Sequence, residues 1–204
     1  SMQAKLVGVS LAVTAGRACY IPLGHKATDA GTTGDLLDKS KSEPAPKQVA
    51  LDRALNLLKP LLEDPAVLKI GQNIKYDKQV LSRYGIDIAP VDDTMLISYV
   101  LEGGLHGHGM DELARDTLGI ETIKFKDVAG TGKSQVTFDR VPLDKALDYA
   151  AEDADITLRL HKTFKPRLAQ EHMVTVYETL ERPLVPVLET CLLYTSDAAD
   201  EEDS

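Results

Sequence analysis

The stretch Val67-Leu68-Lys69-Ile70-Gly71-Gln72-Asn73-Ile74-Lys75-Tyr76-Asp77 changes character halfway along. Val67 to Gln72 reads as a short apolar strand. Asn73 suits a helix N-cap, and the helix it opens is stopped by Gly85. A strand running straight into a helix is the building unit of an α/β fold. Upstream, Lys5 to Val13 is a buried strand, and Arg17 to Leu23 returns after the Thr14-Ala15-Gly16 turn as the second arm of a hairpin. Gly24 to Gln48 holds three glycines and two prolines and reads as a long exposed loop. Leu51, Ala54, Leu55, Leu57 and Leu58 mark an amphipathic helix expected to stop near Pro60. Downstream, Ile86 to Asp93 is extended and Thr94 to Glu102 helical. Met110 to Gly119 is a glycine-capped helix, a long helix runs from about Leu143 to Leu168, and a last one begins near Val174. An opening hairpin followed by alternating strands and helices predicts an α/β sandwich around a mixed sheet.

Composition bounds the function. The chain has 204 residues, enough for one domain with a real core, and no apolar run long enough to span a membrane. Cys19 and Cys191 lie far apart, which suggests no disulfide framework or zinc site and fits the cytoplasm, as does the lack of a leader-like N-terminus. A net charge of −9 argues against a stand-alone protein that wraps duplex DNA, yet it is compatible with a carboxylate-rich site that gathers divalent metal and then phosphate.

Three segments carry candidate chemistry. Asn73 and Asp77 stand four residues apart on one helix face. Asp92-Asp93 precedes a helix, where an acid ordinarily serves as an N-cap. Tyr149-Ala150-Ala151-Glu152-Asp153-Ala154-Asp155 places Tyr149 and Asp153 one turn apart, with Ala146, Ala150 and Ala154 on the same face. A carboxylate among alanines is partly buried and needs a partner or a cation. Taken singly, each segment is equally well read as a capped or solvated surface helix.

In this order and spacing the three segments resemble the 3′–5′ exonuclease domain of family A DNA polymerases. The match extends through LVGVSLAV, YIPLGH, LLKPLLED, GMDELA, AGTGKSQVTF and ERPLVPVL, and covers roughly Gln3 to Glu189. The resemblance implies an RNase H-like (DEDD exonuclease) mixed sheet flanked by helices, in a domain over residues 3–190. It implies that Asp77 and Asp153 hold metal, that Tyr149 orients the attacking water, and that Asn73, Tyr76 and Phe125 line the groove for a single-stranded DNA 3′ end. Phe125 reads equally as an aromatic that anchors its loop. The implied cofactor is Mg²⁺, or Mn²⁺, at two sites about 4 Å apart, each serving one oxygen of the broken ester bond. The site offers no histidine or cysteine cluster, which suits a hard cation. The implied partner is the polymerase domain of a parent chain.

The sequence departs from the family at both ends. The family's first pair, an aspartate and a glutamate two residues apart on a leading strand, has no counterpart in Ser1-Met2-Gln3-Ala4. The first strand is therefore expected to be missing and the activity crippled, with the open slot filled by a second copy in a homo-oligomer or by the tail. Residues 191–204 resemble a translated sequencing adapter and are expected to be non-native, although Cys191 to Thr195 could pass for a strand. Two alternatives stay open: a non-catalytic structural domain, and an RNA-trimming exonuclease of the same fold.

Overall fold

A computed structural model describes residues 4–27 and 45–202, and the side chains up to 192. Of the expected loop 24–48, residues 28–44 lie outside the described residues. The chain opens with the antiparallel hairpin of β1 (Gly8–Thr14) and β2 (Arg17–Pro22), in which Ser10 pairs with Tyr20. Gly16 takes φ +80° in the turn, a conformation that disfavours a side chain. Next come α1 (Leu51–Glu63), β3 (Lys69–Gly71) and α2 (Ile74–Ser82). Then β4 (Val91–Asp93) leads directly into α3 (Thr94–Glu102). β3 and β4 pair in parallel, with Ile70 opposite Asp92. The remainder is helical: α4 (Met110–Leu113) with a wider turn to Leu118, α5 (Phe125–Ala129), α6 (Leu143–Gln170), α7 (Val174–Val176), a wide turn, and α8 (Arg182–Glu202).

Helix α6 is the spine of the molecule. It packs against β1, β2 and β3 on the sheet side and against α3 and α4 on the other. Ile156, Leu160, Phe164 and Leu168 recur at helical spacing and are all buried, with Ile97, Leu113 and Tyr177 as neighbours. A second core joins α1, α2, β4 and α8 through Leu58, Leu62, Ile74, Leu81, Val91 and Val185, and Val9 and Leu11 of β1 pack onto it.

Two expectations are corrected here. α1 does not stop near Pro60 but runs through it to Glu63. Pro60 and Asn56 both lie on the exposed face, where losing one helical hydrogen bond costs least, while Leu58 and Leu62 one turn apart stay buried. The tail is not a strand: Cys191 to Thr195 continue α8, because nothing stops that helix before Glu202. Among the described residues the strands form two separate pairs, β1–β2 and β3–β4, with no ladder joining them, which agrees with the gap expected between the hairpin and the parallel strands. The α/β class and the helices that flank the sheets stand as expected.

Candidate active site

The acidic run on α6 divides its labour. Asp155 accepts the Gly16 N–H at 2.6 Å and the Arg159 side chain at 2.8 Å, so it pins the hairpin turn to the helix. Glu152 accepts the Ile123 N–H at 2.7 Å and pins the segment leading into α5. Asp153 has neither task. It accepts a hydrogen bond from Tyr149, one turn back, and lies half-buried. Desolvation pushes its pKa up to about 7, and the charges of Glu152 and Asp111 add to that shift. The Tyr149 phenol is pushed up to about 12, mainly by desolvation and then by Asp153 and Asp111, so it remains a protonated donor at neutral pH.

The Asp92-Asp93 pair also divides. Asp93 is the N-cap of α3, accepting the Met95 N–H at 2.9 Å, and its two oxygens also accept the Asn73 and Ile74 N–H groups, each at 2.9 Å. One buried carboxylate therefore caps two helices. This corrects the expectation for Asn73: it occupies the N-cap position of α2 with φ +56°, but its side chain makes no capping bond, because Asp93 has taken that role. Asp92 is fully buried and holds α6 to the C-terminal segment, with His161 at 2.7 Å, Lys165 at 3.0 Å and the Tyr177 hydroxyl at 3.1 Å.

Asp77 is exposed to solvent one turn into α2. Its pKa is pushed up to about 7 by desolvation first and then by the charge of Asp93. Tyr76 beside it and Phe125 line one recess of about 590 Å³, together with Lys5, Gln135 and Phe138. The Phe125 ring meets that of Tyr149 edge-on at 6.0 Å. The structure thus joins Tyr76 to Phe125, Phe125 to Tyr149, and Tyr149 to Asp153. Asn73 is tied instead to Asp93 through its N–H, and Asp77 feels the Asp93 charge as repulsion. Among the described residues no three His, Cys, Asp or Glu side chains cluster as a metal site.

Residues 1–169 match the model of the 3′–5′ exonuclease family. The chain belongs to that family. It is 52% identical to DNA polymerase I of Rhizobium leguminosarum and 45% identical to that of Pseudomonas aeruginosa, in each case over 92% of its length. It spans about a fifth of those relatives, 19% of each. Among solved structures, one described as the apo form of a nuclease shares the fold with a TM-score of 0.65 at 20% identity, over 95% of this chain and 78% of that one. Brucella melitensis NrnC with bound Mg²⁺ gives 0.54 at 21% identity, over 67% of this chain and 63% of its own.

Asp93, Asp92, Asp111 and Phe138 were not singled out for these roles by sequence. The doubled acid before α3 was a signal for a cap, but nothing local shows that one acid caps a second helix twenty residues upstream.

The raised Asp153 has a measurable consequence for this exonuclease domain. A carboxyl whose folded pKa lies above its unfolded value stabilises the fold at low pH, and that contribution is lost as pH rises from about 4 through about 7. Without divalent metal, Asp153→Asn is therefore expected to raise the urea midpoint at pH 8 and to change it little at pH 4. An equal midpoint at pH 8 would count against the buried charge described here.

Proposed function

We propose that this exonuclease domain removes 3′-terminal nucleotides from single-stranded or frayed DNA by metal-dependent hydrolysis, as the proofreading part of a polymerase. The observation that carries the reading is the pair of raised carboxylates. Asp153 and Asp77 offer only oxygen donors, and the charges acting on each are those of other carboxylates. Such a field suits a hard divalent cation, so Mg²⁺ or Mn²⁺ fits the residues present. Asp77 and Asp153 would hold it on one cleft, and when bound it supplies positive charge to the phosphodiester. Tyr149, protonated and anchored at Asp153, would orient the attacking water by hydrogen bonding. Water adds to phosphorus, the bond to the 3′ oxygen breaks, and that oxygen leaves with a proton. Tyr76 and Phe125 would stack on bases without regard to sequence, and Asn73, freed from capping, would contact the strand beside them.

Identity over nearly the whole chain to DNA polymerase I supports this reading above an RNA-trimming one, which rests on a fold-level likeness alone. Asp77, Tyr149 and Asp153 all in place speak against a decayed scaffold. Residues 3–190 are the domain, residues 191–204 are a non-native tail, and the cytoplasm is its compartment. No helix among the described residues is long and apolar enough to cross a membrane. Leu180, Leu184, Val187 and Leu188 lie exposed at three- and four-residue spacing, a stripe suited to contact with the polymerase domain of a parent chain. The deciding experiment is metal-dependent trimming of a labelled single strand from its 3′ end, with Asp153→Asn as the control.

The chain by itself is expected to associate. Among the described residues β1 pairs only with β2 and β3 only with β4, so β1, β2 and β3 each keep an edge with no strand partner, while the outer edge of β4 is taken by the Tyr177 hydroxyl and the Arg182 side chain. Such edges recruit strands from other chains. Light scattering after size exclusion should give a mass of at least twice 22.2 kDa; a clean monomer at all concentrations would sink this.

A further inference from the structure

We propose that Phe138 is a positioning residue that fixes Tyr149 and Phe125 relative to one another, so that the terminal nucleotide and the water-orienting hydroxyl share one frame. The inference rests on the functional reading above for the roles of those two residues, and its geometry stands independently of that reading. The Phe138 ring meets four aromatic rings: Tyr20 at 6.2 Å, His25 at 5.8 Å, Phe125 at 6.4 Å and Tyr149 at 5.8 Å. No other ring among the described residues has four such neighbours. Phe125 and Tyr149 also meet each other at 6.0 Å, so the three rings form a closed triangle. Two rings in contact can roll on one another; a third touching both removes that freedom.

Phe138 suits the task because it is itself held from the buried side. Tyr20 and His25 are buried, and their side chains are joined by a 2.7 Å hydrogen bond. The next residue, Asp139, accepts the Lys26 N–H at 2.7 Å through its carbonyl and the Lys26 ammonium at 2.6 Å through its carboxylate. Val141, two residues further on, is buried. Phe125, by contrast, is 39% exposed at the tip of a five-residue helix, and Tyr149 stands on α6. Phe138 therefore ties two rings carried by different helices to one buried base. Misplacement of a reacting group by about 1 Å costs on the order of 10²-fold in rate.

The geometric half is tested in the 204-residue chain labelled with 4-fluorophenylalanine, which gives three fluorine signals for its three phenylalanines. Phe138→Leu keeps apolar bulk and removes the ring. The Phe125 signal is expected to move toward the value of an exposed ring, while that of the fully buried Phe164 stays in place. An unmoved Phe125 signal overturns the inference. So does a shift of Phe164 as well, which would make Phe138 a general core residue. The functional half uses the parent polypeptide and single-stranded DNA. Phe138→Leu should lower kcat for trimming about 10- to 100-fold with little change in KM, and Phe138→Tyr should restore it. In a Tyr149→Phe background, with no hydroxyl left to aim, the same change should cost only a few-fold. Equal losses in both backgrounds overturn the inference. Full trimming by Asp153→Asn overturns the functional reading instead and leaves the fluorine result standing.

Discussion

Asp153→Asn is expected to lower 3′-end trimming by roughly 10³- to 10⁴-fold, in a polypeptide that joins this chain to a natural upstream segment bearing the family's aspartate–glutamate pair. The substitution keeps the size and shape of the side chain. It removes the carboxylate whose pKa desolvation, Glu152 and Asp111 push up to about 7, and which a bound cation would hold ionised. A divalent cation loses an anchor, and Tyr149 loses the charged acceptor that aims its hydroxyl. Residues that act as a unit fail as a unit, so the loss should approach that of removing the whole set. Tyr149→Phe should cost less, about 10²-fold, since it deletes one hydrogen bond and no charge. The 204-residue chain without the added pair should sit near the Asp153→Asn level, since no acid precedes Lys5. Vigorous metal-dependent trimming by that chain, with contaminating nuclease excluded by the Asp153→Asn control, would refute the assignment of the work to four carboxylates.

Asp92→Ala should destabilise the fold by about 3–5 kcal/mol, the cost of breaking a buried ion pair from one side. The Asp92 side chain is fully buried, with His161, Lys165 and Arg182 at 2.7, 3.0 and 3.4 Å. It also accepts from the Tyr177 hydroxyl, whose oxygen in turn accepts the Asp93 N–H at 3.1 Å. Alanine would leave the Lys165 and Arg182 cations and the His161 ring converging on a void. The expected readout is a lower urea midpoint with an unchanged slope. Asp92→Asn, which keeps an acceptor oxygen, should lose less. Desolvation is the largest single influence on Asp92 and raises its pKa, yet bonds from His161 and Lys165 together with nearby cations bring it below the usual carboxylate value. A depressed carboxylate contributes stability above its unfolded pKa of about 3.9, and that contribution disappears as pH falls through the folded value. The variant should therefore show a shallower loss of stability below about pH 4. An unshifted midpoint would mean that the network contributes nothing.

These two acids mark the boundary between what local sequence shows and what it hides. Asp153 was legible because its neighbours on one helix face are alanines, and a helix fixes which residues share a face. The hairpin, the strand-to-helix step at Gln72-Asn73 and the glycine stops were legible for the same reason, since each depends only on residues within a turn or two. Pro60 misled because a local rule for helix ends yields when the lost hydrogen bond lies on the exposed face and the flanking leucines are buried.

The sequence by itself determined the α/β class and the family, and marked the candidate acids and aromatics. Tertiary structure alone decided which of those acids are occupied. Asp155 and Glu152 are taken by backbone N–H groups of Gly16 and Ile123, Asp93 by two helix N-termini, and Asp92 by cations on α6 and α8. It also decided that Phe138 stands where four rings meet. The reason is physical: a carboxylate's partner, like a ring's neighbours, is whatever the fold brings within a few ångströms, from residues as far as 139 positions away in the chain. Periodicity carries no information over that distance.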